Sequence, residues 1–257
     1  MFADRLNHPH GGSPFGCCGF HQPSHNLVNA HKVDSKGLPF LDKSYNNADV
    51  TIDDVVDPRL DWTVGRDDVP FLTWGLHEPT WIRNSTFGGP FSPKKFIHEP
   101  KENSNVGCAN KQLSPLNIPI IRYADVLLML AETEIEVGSL ERARQLVNMI
   151  RERAAGCAIN SDGLATTDLN DPSITWAKYD VKPYTEAWTN KDAARTAVQF
   201  ERRIELALEG QRMFDLIRWD IAEQVINNDY LPVEKTKRDY LIPSPGFQAK
   251  HALHPLP

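Results

Sequence analysis

Residues 200–219 constrain the fold most, because they predict two amphipathic helices joined at Gly210. A glycine can adopt the left-handed conformation that ends one helix, and apolar residues resume directly after it. Charged side chains recur inside the apolar pattern rather than opposite it, and charges that leave water need partners of opposite sign. The segment therefore predicts a helix junction held by buried ion pairs. Its predicted members are Arg202, Arg203, Arg212, Arg218, Glu201, Glu205, Glu209 and Asp215.

The composition limits the classes of partner. With 257 residues, of which 40% are hydrophobic, the chain can form one large domain or two ordinary ones. The net charge of −6 and the pI near 5.8 argue against nucleic acid, because phosphate binding needs clustered Lys and Arg. No apolar run is long enough to span a bilayer, and residues 1–5 lack the apolar core of a secretion signal.

Residues 123–150 predict a helical hairpin. Apolar residues recur at helical spacing from Ala124 to Ile135 and again from Leu140 to Ile150. Gly138 ends the first helix, and Ser139 offers an N-cap oxygen to the second. Because the connection is so short, the two helices must run antiparallel.

The same hairpin matches the degenerate tetratricopeptide pattern. Small residues at Ala131 and Ala143, with Gly138 at the turn, would let the two helices approach closely. A second hairpin around Gly210 strengthens this interpretation, since helical repeats bury their faces by stacking on neighbours. The aromatic positions of the motif are absent.

The chain changes character near Pro115, which divides it into two predicted parts. Residues 1–118 carry many Gly and Pro turn signals and no long helical pattern, so we predict a loop-rich cap segment there and a helical region over 119–257. Residues 156–190 form a long aromatic excursion between the hairpins. A domain seldom opens on so much irregular chain, and we therefore expect Met1 to be an internal start and an N-terminal portion to be missing.

Four segments in order resemble the SusD/RagB family of nutrient-uptake outer-membrane lipoproteins of Bacteroidetes. Residues 57–66 begin with Asp-Pro-Arg-Leu, residues 121–132 resemble the family's Arg-Tyr-Ala helix, residues 201–219 resemble its C-terminal signature, and residues 240–243 resemble its closing strand. Order and approximate spacing agree from about residue 57 to residue 245. Several long motifs in the same order make the resemblance specific to the middle and C-terminal portion of the family.

The resemblance implies a fold and a function. The expected fold is mainly α, with tetratricopeptide-like hairpins and a loop-rich, irregular cap. The expected function is non-catalytic binding of an oligosaccharide at the cell surface and its delivery to a SusC-type TonB-dependent transporter. The family's lipoprotein cysteine and N-terminal helices are not in this sequence, so the lipid anchor to the outer membrane is expected in a missing N-terminal segment.

A glycoside hydrolase would require two carboxylates that face each other across a glycosidic bond, one of them with a raised pKa. Glu201, Glu205 and Glu209 instead occupy one face of the predicted helix, among arginines that keep them ionised. Ion pairing that orients helices is the favoured role for these residues. We therefore expect no catalytic residues, and a glycoside hydrolase is the less favoured alternative.

Histidine and cysteine residues near the start of the sequence are possible metal ligands. His8, His10, His21 and His25 cluster near Cys17 and Cys18, but no carboxylate joins them at a familiar ligand spacing. Free or buried thiols are favoured for all four cysteines, although one bridge between distant cysteines remains open. The acidic loop that holds Asp162, Asp168 and Asp171 fits no EF-hand spacing. We expect no metal and no cofactor.

Sugar binding needs flat aromatic faces beside polar side chains, and the loop-rich half supplies both. Trp74, Trp81, Arg83 and Asn84 are the first candidates for ligand contact, together with Trp62. The resemblance implies that ligand contacts come mainly from loops outside the tetratricopeptide half. The structural alternative for each tryptophan is to pack loops onto helices with its indole N–H bonded. If the first candidates fail, the next are Trp176 and Trp188.

A rival function from another class also fits these patterns. In a pure interaction scaffold of the tetratricopeptide type, the helical face would bind a protein partner and the aromatic residues would be structural. Measurement of glycan binding separates the two functions.

Overall fold

The computed structural model describes residues 9, 12–15, 19–102, 116–117 and 119–252. The protein is mainly helical, with only short strands, as predicted. Before residue 103 the helices are short: α1 (His25–Asn29), α2 (Arg59–Thr63) and α3 (Ser85–Gly88). Within the described part of the chain, no helix is both long and apolar enough to cross a membrane.

Two helices form the predicted hairpin, α4 (Tyr123–Val137) and α5 (Leu140–Ala154). The Ser139 hydroxyl accepts a hydrogen bond from the Arg142 N–H at 3.3 Å and so satisfies one free donor at the start of α5. Only Gly138 and Ser139 separate the helices, which therefore run antiparallel. The hairpin is confirmed, and its assignment to the tetratricopeptide class stays a prediction.

A third helix of the same length, α6 (Lys191–Glu205), packs against both helices of the hairpin. Its N-cap Asn190 accepts a hydrogen bond from the Ala193 N–H at 2.9 Å. Small residues on the three helices let them pack closely around a core that includes Leu128 and Val147. Burial of each such aliphatic side chain contributes about 1.5–3 kcal/mol. The small core residues are Ala131, Ala143, Ala194 and Ala197.

The predicted junction is present, but its first helix ends earlier than the apolar pattern indicates. Helix α6 ends at Glu205, and the next helix, α7 (Arg212–Arg218), has only seven residues. The Glu205 carbonyl accepts hydrogen bonds from Lys95 Nζ at 2.7 Å and Arg122 Nη2 at 3.0 Å, in place of the helical N–H four residues on. The expectation that Glu209 shares a helix face with Glu201 was therefore wrong.

The turn between these helices contains left-handed residues, as predicted for Gly210. Gly210 has φ 82°, and Leu208 also lies in the left-handed region with φ 61°. Two further short helices follow, α8 (Ala222–Val225) and α9 (Leu231–Glu234), joined by a π-helical segment, Ile226–Tyr230. The closing segment is not a strand, because Asp239–Leu241 forms a 3₁₀ turn.

Six two-residue strands pair with one another in the described part of the chain. Strands β2 (Val64–Gly65) and β3 (Ser92–Pro93) are antiparallel, as are β4 (Ala158–Ile159) and β5 (Ala165–Thr166). Strand β1 (Val55–Val56) pairs in parallel with β6 (Lys178–Tyr179), which lies in the aromatic excursion.

One apolar cluster joins the loop-rich half to that excursion, with Val28 and Leu60 packed beside Ile159 and Tyr179. The two parts therefore share a core, and the division at residue 118 stays a prediction of chain organisation.

Replacement of Gly210 by Val should lower the free energy of unfolding by about 1–3 kcal/mol, because a β-branched residue is strained at positive φ. Gly156→Ala is the matched control, since its added Cβ would make only ordinary contacts, the nearest at 3.5 Å. Urea unfolding of both variants measures the difference. Equal stability of the two would contradict a required left-handed residue at position 210.

Candidate functional site

A cleft of about 440 Å³ lies where the loop-rich half meets the ends of α5 and α6. We call it the Trp62 cleft. Its volume falls in the range of about 300–1,000 Å³ typical of small-ligand sites. The lining residues are Arg59, Trp62, Thr63, Lys95, Phe96, Arg122, Arg153, Cys157, Ala165, Ile204, Glu205 and Glu209.

Arg59 enters this region from the start of α2. Asp57, just before the helix, accepts hydrogen bonds from the Arg59 backbone N–H at 2.9 Å and from its Nη2 at 2.6 Å. Thus fixed, the guanidinium donates through Nη1 to Glu201 at 2.7 Å and to Glu205 at 3.1 Å. The Asp-Pro-Arg sequence therefore positions a cation from the loop-rich half against two carboxylates of α6.

Arg151 of α5 binds the other oxygen of Glu201. The two side chains are each 1% exposed, and Arg151 Nη1 lies 3.0 Å from Glu201 Oε2. The same guanidinium donates to the backbone carbonyls of Lys182 and Gly37, both at 2.7 Å. Each of its three nitrogens thus donates to a protein acceptor, as a stable buried charge requires.

Glu205 and Glu209 extend this network to the wall of the cleft. Arg153 donates to Glu205 at 2.6 Å, and Arg122 donates to Glu205 at 3.0 Å and to Glu209 at 2.8 Å. Lys95 Nζ lies 2.5 Å from Glu209. Arg153 is the most open of these residues, with half of its side chain exposed.

The charges around Glu205 decide its protonation. Burial alone would raise the pKa of Glu205, but the positive charges of Arg59, Arg153, Arg122 and Lys95 outweigh burial and hold the pKa below its ordinary value. The carboxylate is therefore ionised at neutral pH. It can accept hydrogen bonds from a ligand, and it cannot serve as a general acid.

A second set of ion pairs joins α4, α6 and α7. Arg202, which is 3% exposed, donates to Asp215 at 3.0 Å and to Asp125 at 2.7 Å. Arg218 also binds Asp215, at 2.9 Å. The ion pairing predicted within residues 200–219 is confirmed for Arg202 and Arg218, which both bind Asp215. Arg203 instead donates to Asn26 and to the Tyr45 hydroxyl.

Trp81 and Trp74, the first sequence candidates, lie in an aromatic cluster of the loop-rich half. Trp81 is 4% exposed, and its ring meets those of Phe71 and His77 at centroid distances of 5.5 and 5.3 Å. Trp74 is partly exposed, and its indole N–H donates to the His98 carbonyl at 2.7 Å. The burial of Trp81 leaves it no open face for stacking in this conformation.

The other three candidates for ligand contact, Trp62, Arg83 and Asn84, lie in different parts of the structure. Trp62 lines the cleft, and its indole N–H donates to the Cys157 carbonyl at 2.6 Å. Arg83 is exposed, with its guanidinium carbon 4.4 Å from the centroid of the Phe20 ring. Asn84 caps α3 by accepting a hydrogen bond from the Phe87 N–H at 3.1 Å. Only Trp62 of the five candidates reaches the cleft, and ligand contact by any of them stays a prediction.

The second-choice tryptophans have partners inside the protein. Trp176 donates its indole N–H to the Tyr179 hydroxyl at 3.0 Å. Trp188 packs edge-on against Tyr184, with ring centroids 5.3 Å apart. Both side chains are partly buried.

Three side chains of the loop-rich half share the hydrogen-bond order of a hydrolase triad. Asp67 lies 2.8 Å from His77 Nδ1, and His77 Nε2 lies 2.9 Å from the Ser92 hydroxyl. His77 is 0% exposed and Ser92 only 2% exposed, so no substrate reaches the hydroxyl. Burial also lowers the pKa of His77. The arrangement ties β3 to its neighbouring loop and does not form an accessible nucleophile.

Most of the predicted metal-ligand candidates lie outside the described residues, namely His8, His10, Cys17 and Cys18. Cys108 also lies outside them. His25 pairs with Asp49 at 3.2 Å. Among the residues that the structure describes, no three His, Cys, Asp or Glu side chains form a group that could hold a metal ion.

Sequence reasoning missed Lys95, Arg122 and Arg153 as partners of Glu205 and Glu209. Lys95 and Arg122 are 114 and 87 residues from Glu209 along the chain. No periodicity or turn signal connects residues at that separation. The only local hint was the position of Arg122 directly before the apolar pattern of α4.

The chain is similar in sequence to SusD-like proteins. The sequence model of the SusD family matches residues 4–240. The chain is 32% identical over 142 residues to SusD-like protein P2 of Formosa agariphila, which covers 53% of this chain and 24% of that protein. It is also 32% identical over 127 residues to SusD-like protein P38 of the same organism, covering 49% of this chain and 21% of the relative.

Among solved structures, a SusD-like carbohydrate-binding protein of Bacteroides fragilis has the same fold with a TM-score of 0.53 and 23% identity. The match covers 88% of this chain and 40% of that protein. Because the chain spans under a quarter of its curated relatives and under half of this structure, the likeness concerns part of a larger architecture.

Replacement of Glu201 by Gln should destabilise the protein by roughly 3 kcal/mol, because it leaves the buried Arg59 and Arg151 without full compensation. Glu141→Gln is the matched control, since Glu141 pairs with Arg144 while 47% of its side chain is exposed. The control should lose less than about 1 kcal/mol. If both variants lost the same free energy of unfolding in urea, the buried Glu201 pairs would contribute no more to stability than an exposed pair does.

Truncation of Trp81 to Ala should lower the free energy of unfolding by about 3–5 kcal/mol, because the ring fills the centre of an aromatic cluster. Leu76→Ala, at a residue 51% exposed in the same loop, should change stability by no more than about 0.5 kcal/mol. Thermal and urea unfolding measure both effects. A neutral Trp81→Ala variant would mean that the ring is available for ligand contact after all.

Proposed function

Because the chain belongs to the SusD family, we propose that it binds an oligosaccharide at the cell surface without altering it. The bound sugar passes to a SusC-type TonB-dependent transporter of the outer membrane. A lipid anchor holds the protein at that membrane. The carbohydrate-binding description of the similar Bacteroides fragilis protein supports the ligand class.

The observation that carries the proposal is the composition of the Trp62 cleft. An aromatic ring lies beside guanidinium and carboxylate groups in one cavity of about 440 Å³. A ring can pack on the apolar face of a sugar, while planar charged groups exchange hydrogen bonds with its hydroxyls. Arg153, half exposed at the cleft, is the cation that a ligand meets most readily.

The same cleft favours binding over hydrolysis. A glycosidase needs one carboxyl group with a raised pKa to protonate the leaving oxygen. Glu205 has a lowered pKa, and Glu209 is bonded by both Lys95 and Arg122. Among the described residues, every carboxyl group with a clearly shifted pKa is shifted downwards: Asp42, Asp49, Asp54, Asp57, Asp61, Glu136, Glu141, Asp171 and Glu205.

A specific surface favours the alternative of a protein-interaction scaffold. Helix α4 exposes several large apolar side chains on the face that does not meet α5 or α6. Several exposed apolar side chains on one helix are typical of contacts with another protein or another segment. The exposed residues are Tyr123, Val126, Met129, Leu130 and Val137.

The decisive measurement is calorimetric titration of the protein with a panel of neutral oligosaccharides. We expect binding by the wild-type protein, at least tenfold weaker binding by Arg153→Gln, and no release of reducing sugar on prolonged incubation. Arg142→Gln is the matched control, because it removes the same charge from an exposed position of α5 outside the cleft. It should bind as the wild type does.

Three results would contradict the proposal. Absence of binding to every sugar of the panel would favour the scaffold function. Equal affinity of Arg153→Gln and Arg142→Gln would place the sugar outside the Trp62 cleft. Release of reducing sugar would overturn the non-catalytic assignment.

A further inference from the structure

We propose that a second cavity, beside the turn at Gly210, binds a small monocarboxylic acid with an aromatic or branched hydrocarbon body. This hinge cavity has a volume of about 480 Å³ and lies between α1, α7, α8 and the turn after α6. Its walls are mostly apolar, and the inference does not depend on the proposed sugar binding. The apolar wall includes Leu27, Leu208, Met213, Leu216 and Ile226.

Arg212 is a cation on the wall of this cavity that has no hydrogen-bonding partner among the described residues. Among the described residues, the Arg212 side chain makes no hydrogen bond and no ion pair, and its one aromatic contact is a distant one, 5.9 Å from the Trp219 ring centroid. By contrast, Arg59, Arg151 and Arg202 each bind carboxylates at 3.0 Å or less. Arg203 also has no carboxylate partner, but it donates to Asn26 and Tyr45, so Arg212 differs from all these arginines in having no hydrogen-bonding partner among the described residues.

The nearby acids are already engaged elsewhere. Asp215 accepts hydrogen bonds from Arg202 and Arg218, and Asp229 lies 2.6 Å from Lys43 Nζ. A second guanidinium, Arg203, lines the same cavity, with its donors directed to Tyr45 and Asn26. The cavity thus has a surplus of positive charge on an otherwise apolar wall.

The electrostatics of Arg212 agree with this surplus. Burial, and then repulsion by Arg203, lower the pKa of Arg212 to about 9. The side chain therefore remains charged at pH 7, in a position where its charge is poorly compensated. A bound carboxylate would supply that compensation through two parallel N–H···O bonds, the preferred geometry of a guanidinium with a carboxylate.

The backbone around the cavity is built in uncommon conformations. Leu208 has φ 61°, which costs a branched side chain free energy, and it lies on the cavity wall. Ile226 and Tyr230, the two ends of the π-helical segment, also line the cavity. Such segments are rare and occur frequently at functional sites.

These features select the class of ligand. A sugar would place many hydroxyls against apolar walls that offer few partners, at a large desolvation penalty. A hydrocarbon body buries apolar surface there, and a single carboxylate meets Arg212. A neutral molecule of the same shape would leave the cation unpaired and should bind more weakly.

The test uses phenylbutyrate and its neutral analogue phenylbutanol as probes in calorimetry at pH 7. The wild-type protein should bind the acid at least tenfold more tightly than the alcohol. Arg212→Gln should bind both with similar affinity, and its own melting temperature should be at least that of the wild type, because an uncompensated charge is removed. Arg195→Gln, which removes a guanidinium bonded to the exposed Asp192 and Glu136, should retain the preference.

Each other outcome overturns the inference. Failure of the wild-type protein to bind either probe would show that the cavity is not a site for this class of ligand. Equal affinity for acid and alcohol would reduce it to an apolar cavity. A preference for the acid that survives in Arg212→Gln would mean that another group recognises the carboxylate.

Discussion

The pairing of Arg59 with Glu201 and Glu205 holds the two halves of this protein together. Arg59 comes from the loop-rich half and the two carboxylates from α6, and all three side chains are at least nine-tenths buried. Buried ion pairs add little net stability compared with apolar packing, but an unpaired member is very unfavourable. The network therefore acts mainly as a constraint on geometry. The observed placement of α2 against α6 leaves each of these charges compensated.

The same constraint produces the Trp62 cleft. Helix α6 ends at Glu205 because Lys95 and Arg122 bind the carbonyl that would otherwise continue the helix. The chain then turns away from the helix axis. Glu205 and Glu209, together with Arg153 and Trp62, line a cavity rather than a packed interface. Because the cations that shape the cleft also keep Glu205 ionised, structure and chemistry agree on a surface suited to hydrogen bonding and unsuited to proton transfer.

The two cavities differ in whether their charged residues already have partners of opposite sign. In the Trp62 cleft, Glu205 and Glu209 each have cationic partners, so a ligand there must compete for, or share, existing hydrogen bonds. In the hinge cavity, Arg212 has no anionic partner among the described residues, because the nearby Asp215 binds Arg202 and Arg218. A polyhydroxylated ligand fits the first environment, and an amphipathic anion fits the second. Both cavities include residues at or near the end of α6, and they differ in the charge compensation that they offer a ligand.

The sequence by itself determined the features that depend on neighbours a few residues apart. These were the α4–α5 hairpin with its Ser139 cap, the left-handed Gly210, the irregular first half and the motifs of the family. Only the tertiary structure decided the burial of Trp81, the end of α6 and the partners of Glu205, which come from residues 52 to 146 positions away. Helical periodicity and turn chemistry act locally, whereas the pairing of a buried charge depends on which distant segments the fold brings beside it.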